Sequence, residues 1–250
     1  MLHERLDYFG NPVEYFVLQE PHDTLSVTAR STVRLEPAVA LPAPTTSLAW
    51  DRLAAWLMAA PDPAAIEARE FVLDSPLVAT SAALAAFAAP AFPVGRPLLE
   101  AVLDLNSAIQ REFTYDPGFT TVATPLSEVL TLRCGVCQDF AHLAIGCLRS
   151  LGVPARYVSG YVESVPPPGG SRLRGADASH AWFAVYIPDV GWVDLDPTND
   201  QLVTTQHVTT AWGRDYADVT PLKGVIFGGG SHSLEVEVDV TRCTSSTTPF

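Results

Sequence analysis

The chain has 250 residues, 48% hydrophobic and 17% charged, which is enough apolar material for one large core and excludes an intrinsically disordered chain. Its 28 Asp and Glu outweigh 15 Lys and Arg, and a formal charge of −13 repels phosphate backbones and anionic membranes. Neither nucleic acid nor a membrane is an expected partner.

The first seven residues, Met1 to Asp7, hold two acids and no apolar stretch, so they do not read as a secretory signal. Four cysteines (Cys134, Cys137, Cys147 and Cys243) are too sparse for a disulfide scaffold, and a reducing, cytoplasmic setting is expected. The β-rich runs Glu14–Gln19 and Leu25–Leu35, separated by the turn-type cluster Glu20–Thr24, predict an antiparallel hairpin or part of a small sheet. Pro37 to Pro44 reads as a linker, so residues 1–44 are expected to be a β-rich segment separate from 45–250. Ser47 or Asp51 is placed to cap a helix through Ala59, and Asp62-Pro63 to open another through Val72. Ser75 to Val94 is apolar but broken by Pro76, Pro90 and Pro93, which predicts a loop and a short Ala-rich helix rather than a membrane span.

Leu98, Leu99, Val102, Leu103, Leu105, Ile109 and Phe113 recur at helical spacing, and Ser127–Leu132 adds a shorter helix. Gln138 to Leu151 is apolar on nearly every side, the mark of a helix buried in the centre of a domain, and Gly152-Val-Pro154 ends it. Strand-like runs follow at Ala155–Glu163, His180–Ile187, Trp192–Asp196, Val208–Trp212 and Leu234–Thr241. Helices first and strands later is an α+β order.

Cys137 stands at the start of the buried helix, where unpaired N–H groups and the dipole favour a thiolate and offer a donor to an oxyanion. Read alone, it fits a small buried core residue equally well. His180 opens a strand, and the turn Pro188–Gly191 returns the chain so that Asp194 and Asp196 on the next strand come beside it. A thiol triad uses such a set: Cys137 attacks, His180 takes its proton, Asp196 orients the ring. Asp194 is the rival orienter; Asp196 is preferred because Pro197 ends the ladder there and lets a site open.

The segments Gly135-Val-Cys-Gln-Asp-Phe-Ala-His142, Leu148 to Tyr161, Ala178-Ser-His-Ala-Trp182 and Gly191-Trp-Val-Asp-Leu-Asp-Pro-Thr-Asn199 closely resemble the bacterial transglutaminase-like family, which includes cysteine proteases. The likeness extends through Asp7–Asn11, Gly213–Pro221 and Gly228–Val236, most of the chain. It implies an α+β, papain-like and transglutaminase-like core, a catalytic domain over 45–250, and Cys137, His180 and Asp196 as its triad. The implied reaction is amide or peptide hydrolysis through an acyl-enzyme, or transamidation by the same triad, on a peptide or protein amide. The family usually places a longer β domain ahead of the segment resembling Asp7–Leu35, so residues 1–44 are expected to be its remnant, with an exposed sheet edge.

Cys134 departs from the family and creates Cys134-Gly-Val-Cys137, a spacing open to a strained disulfide, two metal ligands or a thioredoxin-like oxidoreductase. The oxidoreductase reading leaves His180 and Asp196 without a role, as does a non-catalytic binding module, and zinc lacks two further ligands; no cofactor and no metal is expected. Asp139 is assigned to capping the helix, His142 to a satisfied buried histidine, and Trp182 and Trp192 to packing or to the cleft wall. His207 and His232 are expected on the surface, and Gly228–Gly230 in a loop. If the exposed N-terminal edge pairs two copies, light scattering will give twice the 26.8 kDa chain mass at high concentration; a monomer there removes the homodimer.

Overall fold

The structure, a computed structural model, describes residues 3–36, 41–163, 169, 179–228, 231 and 233–243. In chain order the elements are β1 (His3–Leu6), β2 (Pro12–Tyr15), α1 (Leu53–Ala59), α2 (Pro63–Ala68), α3 (Ala82–Ala88), α4 (Leu98–Glu112), β3 (Thr114–Tyr115), α5 (Leu126–Leu132), β4 (Cys134–Gly135), α6 (Cys137–Ser150), β5 (Ala155–Val162), β6 (His180–Ile187), β7 (Gly191–Asp196), β8 (Gln201–Leu202) and β9 (His207–Gly213). The last five strands form one antiparallel sheet in the order β8-β7-β6-β5-β9, with α6 packed on β5 and β6. This is the α+β, papain-like architecture. No helix among the described residues is long and apolar enough to cross a membrane.

Helix α6 is the axis because its sequence leaves it no wet face: Phe140, Leu143, Ala144, Ile145, Cys147 and Leu148 are all buried, and α3, α4 and α5 close over it. Gly146 makes that closure tight, since a Cβ there would lie 2.9 Å from Leu84 and Leu126. At the far end Arg149 is buried too, donating to the carbonyls of Phe71 (3.0 Å), Ala155 (2.9 Å) and Arg214 (2.7 Å) and to Ser75 Oγ (3.0 Å). Burial pushes its pKa down to about 10 against the pull of Asp215, but it stays a cation that bolts four segments together.

Several expectations need correction. Leu25–Leu35 forms no strand; β2 pairs instead with β1, and the hairpin turns at Asp7–Asn11, where Asp7 Oδ1 accepts the Phe9 and Asn11 N–H groups (2.8 Å each). Asn11 then makes two bonds to the Trp212 backbone (2.7 and 3.0 Å), so that turn is sewn to β9 while the strands themselves remain exposed. Leu234–Thr241 alternates as a strand should but finds no partner ladder among the described residues, and it is irregular. Ser47 and Asp51 do not cap α1: Ser47 Oγ accepts the Leu99 N–H (3.0 Å) and Asp51 accepts that of Gly95 (3.1 Å), tying this region to the start of α4. Asp62 and Ser81 do cap, holding the first turns of α2 and α3. Residues 37–40 of the expected linker lie outside the described residues.

His142, on α6, accepts the Tyr216 N–H at Nε2 (3.2 Å), and burial lowers its pKa to about 4, with Asp215 opposing and Arg149 assisting. The ring is neutral in the fold and charged in the unfolded chain below pH about 6.5, so stability present above that pH is lost as pH falls towards 4. A gap of about 2.5 units corresponds to about 3 kcal/mol. Urea unfolding at pH 7 and pH 4 checks this: the wild type loses more stability between them than His142→Gln, which keeps an acceptor and cannot titrate.

Candidate active site

The site is assembled from one helix start and three strand ends. Val136 precedes α6 in an extended conformation, and the Asp139 carboxylate reaches back to accept its N–H (2.8 Å) while also accepting the Thr120 hydroxyl (2.6 Å). Asp139 therefore caps, as its position implies. Burial raises its pKa while these two donors pull the other way. Cys137 is the first helical residue, half-buried, whereas Cys134 and Cys147 are buried and Cys243 is exposed. Burial, reinforced by Asp116, raises the Cys134 thiol pKa, and burial pushes that of Cys147 far above the usual thiol range.

His180, the first residue of β6, donates from Nε2 to Asp196 Oδ2 at 2.8 Å, and both side chains are fully enclosed. Nδ1 is the ring nitrogen left for Cys137, having no hydrogen bond of standard geometry among the described residues. Burial works against a charged imidazole here, but the bond and charge of Asp196, together with the neighbouring Cys137, outweigh it and raise the His180 pKa to about 10. Asp196 ends β7. Its Oδ1 accepts the Thr198 and Asn199 N–H groups (2.9 and 3.2 Å), and its Oδ2 also accepts the Asn199 side-chain amide (2.7 Å). Burial would raise this carboxyl, and the donors from His180, His207 and Asn199 instead hold it well below the usual carboxylate range.

Asp194 takes a different part. It accepts the Trp182 indole N–H (3.1 Å) and faces Arg156, while burial raises its pKa. Arg156 lies between two indoles, 4.4 Å from the Trp192 ring centre and 4.9 Å from that of Trp212. Trp192 is thus occupied with packing, and Trp182 is a floor beneath His180 (ring centres 6.0 Å apart). Trp182 crosses β5 at Gly160, where the β5–β9 register shifts and a Cβ would collide with the Val208 carbonyl and the indole. Every residue of β6 is buried: Ala181, Phe183, Val185 and Ile187 face the main core, and Trp182 and Ala184 join Val158 in a second apolar cluster on the opposite face.

His207, expected on the surface, is a further correction. It is buried, and its Nε2 meets Asp196 Oδ2 at 3.2 Å. The signal was slight: a polar residue opening a strand after Thr204-Thr-Gln206. His180, Asp196 and His207 are also the one grouping among the described residues close enough to share a cation, yet both rings bond the same Asp196 oxygen, so direct hydrogen bonding accounts for the cluster. His232, Gly229 and Gly230 lie outside the described residues.

Residues 88–197 match the family model of the transglutaminase-like superfamily, and residues 1–34 that of the bacterial transglutaminase-like N-terminal region. Protein Rv2569c of Mycobacterium tuberculosis is 45% identical over 241 residues, 94% of this chain and 75% of that protein. The chain belongs to the transglutaminase-like superfamily. The crystal structure of a candidate cysteine protease from Cytophaga hutchinsonii shares this transglutaminase-like fold at TM-score 0.51 and 31% identity, over 62% of this chain and 49% of that one, about half its length. A protein-glutamine gamma-glutamyltransferase of Pseudomonas aeruginosa is 32% identical over 103 residues, 38% of this chain and 15% of that protein.

Losing Asp139 strands two donors, one of them at the start of the helix that carries Cys137. Asp139→Ala is expected to cost about 2 kcal/mol in chemical unfolding, and Thr120→Val less, since only one bond goes with it. Equal stability of Asp139→Ala and wild type would remove this capping role.

Proposed function

We propose that the protein is a thiol-dependent amide hydrolase in which Cys137 is the nucleophile, His180 the proton carrier and Asp196 the orienting carboxylate. The observation that carries this reading is the 2.8 Å bond from His180 Nε2 to an enclosed, ionised Asp196, which leaves the other ring nitrogen to a half-buried thiol at a helix start. The Cys137 sulfur adds to the carbonyl carbon of a peptide amide, and the carbonyl electron pair moves to oxygen. The Cys137 N–H, in the first turn of α6, is suited to meet that oxyanion. His180 gives its proton to the amide nitrogen, the C–N bond breaks, and an amine leaves a thioester on Cys137. Water, deprotonated by the now neutral His180, attacks the thioester and releases the acid, which returns Cys137 as the thiolate and leaves the water proton on His180.

Transamidation is the second reading, favoured by the local likeness to the Pseudomonas gamma-glutamyltransferase: there an amine takes the place of water at the thioester. A library of glutamine-containing and other peptide amides, followed by mass spectrometry with and without an added primary amine, separates the two by product mass. Under either reading Cys137→Ala lowers kcat by about a thousandfold or more, and Asp196→Asn lowers it strongly by mis-setting the imidazole tautomer. The alkaline limb of kcat/KM falls as His180 loses its proton at its raised pKa of about 10. Turnover by Cys137→Ala at the wild-type rate would falsify both readings.

A further inference from the structure

His207 is a buried titratable group that this reaction does not use. It opens β9, which is paired with β5, yet its ring reaches the Asp196 oxygen that His180 also bonds, at 3.2 Å against 2.8 Å. The ring packs edge-on to Trp182 (centres 5.3 Å apart), the same indole that underlies His180. Thr204 N–H points at His207 Nδ1 (3.4 Å). A backbone N–H only donates, so Nδ1 carries the lone pair and Nε2 carries the proton that goes to Asp196. Two neighbours, one at each nitrogen, therefore fix which way His207 donates.

We infer that His207 is a positioning residue for the His180–Asp196 pair: its Nε2–H holds the shared carboxylate oxygen and takes up part of its negative charge, so that Asp196 orients the His180 imidazolium without holding its proton too tightly. The inference rests on the role proposed above for that pair. An acceptor oxygen divided among donors gives less to each, and in a site closed to bulk solvent the loss of one donor falls on the remaining bonds. The other titratable and charged groups around the pair are accounted for. Cys137 on α6 faces His180, and Tyr157 on β5 faces Cys137. Asp194 on β7 is committed to Trp182 and to Arg156 on β5. Removing the His207 donor makes Asp196 a stronger acceptor for His180, so the His180 proton is held to higher pH and is released less readily to a leaving amine.

NMR of protein carrying 15N-labelled histidine tests this first in the wild type, where His207 is expected as the Nε2–H tautomer; an Nδ1–H tautomer overturns the inference with no mutant needed. His207→Phe keeps a ring against Trp182 and removes the donor. Its His180 titration midpoint is expected to move to higher pH, and its kcat on the cleaved library peptide to fall about tenfold with KM little changed. His207→Gln returns an N–H and is expected to restore both. Unchanged titration and kcat in His207→Phe, or equal losses in Phe and Gln with an unmoved His180 midpoint, overturn the positioning role. Activity surviving in Cys137→Ala would sink the proposed reaction instead, while tautomer and titration still read the His207 bond directly.

Discussion

An ionised carboxylate taken fully out of water costs several kcal/mol unless its oxygens are satisfied, and Asp196 is fully enclosed. The protein meets this cost with five donors, from two strands besides its own and from the turn that follows β7: His180, His207, the Asn199 amide, and the backbone of Thr198 and Asn199. Each of those donors must arrive in a fixed place, so the ends of β6, β7 and β9 and the turn after Asp196 are constrained together. The neighbouring Asp194 shows the contrast. With one indole donor and a nearby guanidinium it is held by a single face, and its pKa rises where that of Asp196 falls.

That constraint would be of little use if the helix bearing Cys137 could slide. Both ends of α6 are pinned by charged side chains that the fold buries: Asp139 at the N-terminus, tied to Val136 and to Thr120 in the preceding loop, and Arg149 near the C-terminus, shared among three carbonyls and a serine. Between them the helix is apolar on nearly every side, and Gly146 lets its neighbours approach to a distance that a side chain would forbid. The Cys137 thiol is thereby held at the start of a pinned helix, as the proposed proton transfer to His180 requires.

Where sequence patterning misled, the cause was partner availability. Leu25–Leu35 and Leu234–Thr241 alternate correctly for strands, but a strand is stabilised by the ladder beside it, and neither segment has one among the described residues. Ser47 and Asp51 are good capping residues that instead accept N–H groups from around the start of α4, some forty to fifty residues away in sequence. Asp62, whose target lies three residues on, was legible for the same reason that its bond is local.

Local physics thus fixed what depends on near neighbours and on pattern: the six helices, the buried character of α6, the strands of residues 155–162, 180–187 and 191–196, and through its motifs the candidate trio Cys137, His180 and Asp196. The bond from Asp194 to the Trp182 indole and the part taken by His207 could be decided only in three dimensions. In the sheet ladder β9 lies three strands from β7, so no count along the chain or across a hairpin sets their side chains in contact. Contact comes from the chain returning through β8 and the Thr204 turn, which brings His207 onto Asp196, with Gly160 leaving space for Trp182 beneath. Such closure is set by the packing of both faces of the sheet at once, which a single strand's pattern does not contain.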